Sequence, residues 1–207
     1  TIPELRKAIL EVQESCKGPL GINLIVNKFN TKMEKQLEVC VELGVDYIIT
    51  SLGSPKSTIE ACKPKGIKVF CDVVDLKYAQ KVESLGADAI IAVNNKAGGH
   101  LGPMSPEELI PMLVKNCSIP VISAGGVSNG EELKKMLELG AAGVSIGTPF
   151  IATEEAGVSH EYKQAIVDYG AKDIVVTDRV SGSKCTIINT PYVQTIGLKA
   201  NWLERML

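Results

Sequence analysis

The sequence predicts a parallel α/β fold of the (β/α)8, TIM-barrel-like type, lacking about two N-terminal βα units. Three observations lead there. Six short apolar runs recur along the chain. Helical patterns with readable caps lie between them. The phrases "ELGVDYII", "SLGADAII" and "ELGAAGVSI" are near copies, each reading as helix end, tight turn and next strand.

Alternating strand and helix imply a parallel sheet with right-handed crossovers. An open doubly wound sheet is the competing closure. The barrel is preferred because the chain opens on a helical stretch, "TIPELRKAILEVQESCKG", with no strand before it. A complete barrel usually needs about 250 residues, against 207 here.

The predicted strands are "LGINLIV" (20–26), "VDYIITSL" (45–52), "IKVFCDVV" (67–74), "ADAIIAV" (87–93), "IPVISAGG" (119–126) and "AGVSIGT" (142–148). None alternates cleanly with polar residues, so strands buried on both faces are expected. Thr31 with Glu34, Ser105 with Glu108 and Ser128 with Glu131 fit the capping box that opens a helix. Pro106 adds a favoured first-turn proline. Gly44, Gly66, Gly86 and Gly140 stand where the helices should end in a left-handed residue. After Ala171 the pattern changes to short β-like runs and turns, closing on a helical "LKANWLERML" whose Trp202 and Met206 read as packing residues. Residues 1–170 are therefore expected to form the barrel portion, and residues 171–207 a C-terminal appendage or the start of a substrate subdomain.

Composition narrows the function. Hydrophobic residues make up 45% and aromatics only 4%, so the core must be aliphatic, as buried parallel strands prefer. The formal net charge is −2, with no basic block, which gives nucleic acid or an anionic membrane no electrostatic footing. No apolar run reaches transmembrane length, and no signal peptide is visible. The six cysteines are scattered, none as C-x-x-C and none at metal-ligand spacing from a histidine. Free thiols in a reducing cytoplasm are expected.

In a parallel α/β protein the chemistry sits where strands end. Two successive strand ends are glycine-rich: Gly125 and Gly126 in "SAGGVSNGEEL", and Gly147 with Thr148 in "SIGTPFIAT". Glycine lets backbone N–H groups approach an anion, and a helix start adds a favourable dipole. A phosphate ligand is expected: a flavin mononucleotide, a nucleotide or a sugar phosphate. Neither a G-x-G-x-x-G after the first strand nor a G-x-x-x-x-G-K-[ST] is present.

The stretch "NNKAGGHLG" (94–102) places His100, one of two histidines, after the strand "ADAIIAV". Gly98 and Gly99 leave room for a flat ring, and an imidazole there suits a general base. A loop histidine bonded only to backbone is the plainer alternative. His160, beside Ser159, reads as a helix-start residue. Asp72 ends a strand and reads equally as a ligand-positioning or a solvated carboxylate. Lys96 reads as a solvated loop lysine more than a phosphate partner. Ser51 and Ser123 lack the G-x-S-x-G context of a serine nucleophile.

The ordered motifs "AGGHLG", "IPVISAGGVSNG" and "LGAAGVSIGTPFIATEEAGVSHEYKQAI" together resemble the nitronate monooxygenase family, formerly the 2-nitropropane dioxygenases. Flavin-type enoyl-acyl-carrier-protein reductases carry similar motifs. The resemblance runs from about Gly18 to Tyr192. It implies an FMN-bound barrel that oxidises alkyl nitronates with O2 to a carbonyl compound and nitrite. It implies that Asn23, Gly98 and Gly99 contact the flavin. It places the cofactor phosphate at Gly125, Gly126, Ser145, Ile146, Gly147 and Thr148, and makes His100 the active-site residue. Small-molecule substrate and O2 are the implied partners, with room for a homodimer. Two positions depart from the family pattern: Lys96 stands where an acidic residue is common, and Val93 where a polar flavin contact is common.

Overall fold

A computed structural model describes residues 1–180 and 182–199. In chain order the elements are α1 (Ile2–Ser15), β1 (Gly21–Ile25), α2 (Met33–Glu42), β2 (Tyr47–Ser51), α3 (Lys56–Cys62), β3 (Lys68–Val73), α4 (Leu76–Leu85), β4 (Ala89–Val93) and β5 (Gly99–His100). They continue as α5 (Pro106–Asn116), β6 (Val121–Ala124), α6 (Gly130–Glu138), β7 (Gly143–Ser145), α7 (Thr148–Ile151), α8 (His160–Asp168), β8 (Ile174–Thr177), β9 (Cys185–Ile188) and α9 (Pro191–Ile196). Six strands form one sheet, ordered β1-β2-β3-β4-β6-β7. β1 to β4 pair in parallel along the chain. This is the parallel βα architecture of the barrel class, with six strands against eight in the closed form. All six apolar runs are strands, shortened at their ends where loops and caps take over.

The strands differ from the expectation of burial on both faces. β4 is buried over Ala89–Ala92, but β2 and β3 alternate buried and partly covered residues. An apolar run marks a strand even where only one face is closed, because β-branched residues also suit the open face.

Local chemistry explains the helix boundaries. Ser105 caps α5 as expected: its hydroxyl accepts from Glu108 N–H at 3.3 Å, and its own N–H donates to Glu108 Oε2 at 3.0 Å. The box expected at Thr31 is not formed. α2 starts behind Lys32 with no side-chain cap. The preceding loop is folded instead by Asn27, whose Oδ1 accepts from the N–H groups of Phe29 and Asn30 at 3.0 Å. The box expected at Ser128 with Glu131 is shifted by one residue. Asn129 has the extended backbone of a cap, and its Oδ1 accepts from Glu132 N–H at 3.0 Å. Ser128 N–H donates to Glu132 Oε2 at 2.7 Å. Asparagine caps as well as serine, so position decides. Gly44, Gly66, Gly86 and Gly140 all take positive φ, between 64° and 98°.

The repeated phrases have a shared bond. Asp46, before β2, accepts from Leu20 N–H at 2.7 Å at the start of β1. Asp88, before β4, accepts from Val69 N–H at 2.9 Å on β3. Each aspartate ties a strand start to its neighbour. The third copy has Ala142 in that place.

The chain divides into two compact units. One comprises Thr1–Ala92 and Pro111–Ile122. Its core includes the fully buried Ile48, Val69 and Ile90 on successive strands, with Ile48 opposite Val69 and Cys71 opposite Ile90. The other comprises Val93–Ile110 and Ser123–Leu207. Its core gathers Ile110, Val127, Met136 and Ala141, with Leu133, Leu139, Val144 and Ile146 packed against them. The β-like runs after Ala171 form the antiparallel pair β8 and β9, and β9 also pairs with β5. The helix expected over 198–207 lies, with Trp202 and Met206, almost wholly outside the described residues. All six cysteines are free thiols. Among the described residues no helix is long and apolar enough to cross a membrane.

Candidate active site

The loop bearing His100 is built outward from Asn94. This residue directly follows β4 and is fully buried. Its side chain folds the loop back: Oδ1 accepts from Lys96 N–H at 2.8 Å. Its Nδ2 donates to the carbonyl of Gly125 at 3.0 Å. Its main chain does the rest. Asn94 N–H donates to Ala124 O at 3.1 Å, and Asn94 O accepts from Ala97 N–H at 3.3 Å and Gly102 N–H at 3.2 Å. A buried amide with its polar atoms engaged avoids the desolvation penalty an unpaired one would carry.

Close approach decides where the glycines sit. A Cβ on Gly125, at φ 112°, would lie 2.5 Å from Ala97 N and 2.7 Å from Asn94 Oδ1. Gly125 is therefore required by the joint between the two loops. A Cβ on Gly126 would meet the Lys96 side chain at 2.9 Å, and one on Gly98 would meet Thr148 Oγ1 at 2.5 Å. Gly99, at φ 79°, and Gly147 face open space. The structure thus brings Gly98 against Thr148 and Gly125 against the His100 loop. Ser145 and Thr148 are exposed, while the partly buried Ile146 packs against the core cluster.

His100 is exposed on the two-residue strand β5. It lies opposite Cys185 of β9, and Gly99 lies opposite Thr186. Gly99 N–H donates to Thr186 Oγ1 at 2.9 Å, and that hydroxyl donates to Ala97 O, also at 2.9 Å.

Lys96 does not stand as a free loop cation. Its Nζ is 3.8 Å from Glu107 Oε1, and Lys135 Nζ is 2.5 Å from the same oxygen. The Lys135 bond, helped by Lys96, holds the Glu107 carboxyl down to about 2. His160 is the first residue of α8, whose cap Ser159 accepts from Tyr162 N–H at 3.3 Å. Ser123 is fully buried, and its hydroxyl has no partner among the described residues.

Asn23 belongs to the other unit and has its own company at the strand ends. Ser51 Oγ donates to Asp72 Oδ2 at 2.6 Å and lies 3.1 Å from the Asn23 side-chain amide. A hydroxyl has one proton, and the shorter contact takes it. The Asn23 contact is completed by turning its NH2 toward Ser51, an orientation equally compatible with the atoms. Burial pushes the Asp72 carboxyl above its ordinary range, and the Ser51 bond partly offsets this.

The sequence pointed to Asn23, His100 and the glycines but missed Asn94, Thr186 and the Ser51–Asp72 pair. A polar residue closing an apolar strand run was the available signal for Asn94. Thr186 carries no local signal, since its partner lies 87 positions away.

Fold and loops define a βα-barrel-class protein with a histidine loop tied to a glycine turn. The chain belongs to the nitronate monooxygenase family, whose model matches residues 1–204. It is 34% identical over 156 residues to the nitronate monooxygenase of Paraburkholderia phytofirmans, covering 70% of this chain and 43% of that protein. It is 30% identical over 201 residues to a (3aS,4S,5R,7aS)-5-hydroxy-7a-methyl-1-oxo-octahydro-1H-indene-4-carboxyl-CoA dehydrogenase of Rhodococcus jostii, covering 97% of this chain and 56% of that protein. Among solved structures, FabK from Thermotoga maritima is 34% identical with a TM-score of 0.88, over 95% of this chain and 62% of that one. Nitroalkane oxidase from Streptomyces ansochromogenes shares the fold, with a TM-score of 0.88 over 99% of this chain and 72% of that one, at 20% identity. The chain thus spans about half the length of the curated relatives it matches.

Proposed function

We propose that this chain is part of an FMN-dependent oxidoreductase that oxidises alkyl nitronates with O2 to a carbonyl compound and nitrite. One observation supports it most: in a member of this family, the His100 loop is fastened to the Gly125–Gly126 turn through Asn94. Local geometry supports a phosphate-bearing cofactor. Gly147 backbone faces open space beside exposed Ser145 and Thr148, where a phosphate needs N–H and O–H donors.

In this reading Gly125, Gly126, Ser145, Ile146, Gly147 and Thr148 hold the phosphate, Ile146 through its backbone. Gly98 and Gly99 keep side chains away from the flat ring. FMN, when bound, supplies the electron acceptor and the route to O2. His100 takes the proton from a neutral nitroalkane, or orients the anionic nitronate through its ring N–H. In the same reading residues 1–170 make up the barrel portion.

The likeness to FabK favours a second reading, a flavin enoyl-thioester reductase drawing on NAD(P)H. Anaerobic mixing of the FMN-loaded full-length protein separates the two. The monooxygenase reading expects a prompt change in the flavin spectrum with an alkyl nitronate and none with NADH. Rapid bleaching by NADH alone, with no response to nitronate, overturns it.

A further inference from the structure

We propose that Thr186 is a positioning residue for His100, so that the segment around β9 belongs to the active site rather than to a passive appendage. The inference rests on the reading of His100 given above.

Asn94 fastens this loop at Lys96, Ala97 and Gly102, on either side of the two glycines next to His100. Gly98 and Gly99 have no side chains, and the space around Gly99 is open at φ 79°. Glycine pairs of this kind lose the most conformational freedom on ordering, so hydrogen bonds must supply the order. Two come from one atom. Thr186 Oγ1 accepts from Gly99 N–H at 2.9 Å and donates its single proton to Ala97 O at 2.9 Å. The alternative acceptor, Gly99 O, is farther at 3.3 Å. The hydroxyl therefore clamps the backbone on both sides of Gly98. Gly98 is further limited by Thr148, which leaves no room for a Cβ.

The clamp is carried by a strand with its own support. β9 pairs with β8 over Ile174–Thr177, and Cys185, the register partner of His100, is buried. Thr186 therefore fixes where β5 starts, and β5 sets the direction in which His100 leaves the backbone.

The test uses the full-length FMN-loaded protein with an alkyl nitronate, comparing Thr186→Val, which keeps shape and loses the hydroxyl, with Thr186→Ser, which keeps the hydroxyl. A displaced catalytic group costs rate more than binding. Thr186→Val is expected to lower kcat by about 10- to 100-fold, with KM within about twofold and flavin content retained. Thr186→Ser is expected to restore kcat. In the chain without flavin, Gly99 N–H is expected to exchange with solvent at least about tenfold faster in Thr186→Val than in Thr186→Ser. Unchanged kcat and unchanged Gly99 exchange in Thr186→Val overturn the proposal. If Thr186→Val does not fold, Thr186→Cys replaces it, and equal kcat in the Cys and Ser variants overturns the proposal. His100→Ala keeps the two levels apart. Turnover unaffected by His100→Ala defeats the function reading itself, whereas turnover lost in His100→Ala and kept in Thr186→Val defeats only the role of Thr186.

Discussion

Asn94 Nδ2 donates to the Gly125 carbonyl at 3.0 Å, joining the loop that carries His100 to the glycine turn after β6. Both loops thereby share one buried side chain. Asn94→Ala removes this bond and the one to Lys96 N–H, leaving two backbone groups to find other partners. A loss of about 2 to 4 kcal/mol in unfolding free energy is expected, read by urea denaturation. Asn94→Asp keeps the acceptor for Lys96 N–H but puts a carboxylate against a carbonyl. It is expected to be no more stable than the alanine variant at neutral pH.

Some of the site glycines are required by the fold, whatever they also hold, and others are not. Gly125→Ala forces a Cβ at positive φ into Ala97 and Asn94. A cost above about 2 kcal/mol is expected from the left-handed backbone and the contact together. Gly147 has φ −124°, and its Cβ would meet nothing. Gly147→Ala is expected to stay within about 0.5 kcal/mol of the parent while weakening FMN binding. Thermal melts and flavin titration read the two effects separately.

Asp72 gives a pH signature. Burial raises its carboxyl above the ordinary range in the folded state, with the Ser51 bond opposing. Folding therefore favours the protonated acid. Its cost is absent at pH below the ordinary carboxylate range, where both states hold the proton. The cost grows as pH rises from that range through the folded value. Asp72→Asn is expected to raise Tm at neutral pH and to show no such gain in acid. A Tm difference that does not change with pH would contradict this assignment.

Lys96 tests the departure from the family pattern. It faces Glu107, which Lys135 holds more closely. Lys96→Glu places two carboxylates together on an exposed surface. A loss below about 1 kcal/mol is expected at low salt, shrinking in high salt as screening shortens the range of the repulsion. Denaturation at two salt concentrations measures it.

Much of this architecture is legible in the amino acids themselves. Apolar runs preceded by Gly44, Gly66, Gly86 and Gly140 identify βα units because left-handed helix ends select glycine by local sterics. Cap positions are less legible. Thr31 and Ser128 have the right chemistry, but Asn27 reorganises one loop and Asn129 takes the other cap, choices settled by backbone geometry over a few residues. At the site, a scarce imidazole beside glycines after a strand draws the eye to His100, and the family resemblance gives it a role. Asn94 and Thr186 do not stand out, since their work lies in bonds to Gly125 and Gly99, 31 and 87 positions away. Long-range hydrogen bonding leaves no periodic trace.

The FMN-loaded full-length protein is expected to oxidise an alkyl nitronate, with His100 taking part. Nitrite release under air, measured beside His100→Ala, tests it most directly. Nitrite and the matching carbonyl compound are expected from the parent, with a fall of at least about 100-fold in the variant. Absence of nitrite from the flavin-loaded parent, or equal nitrite from parent and variant, would contradict it.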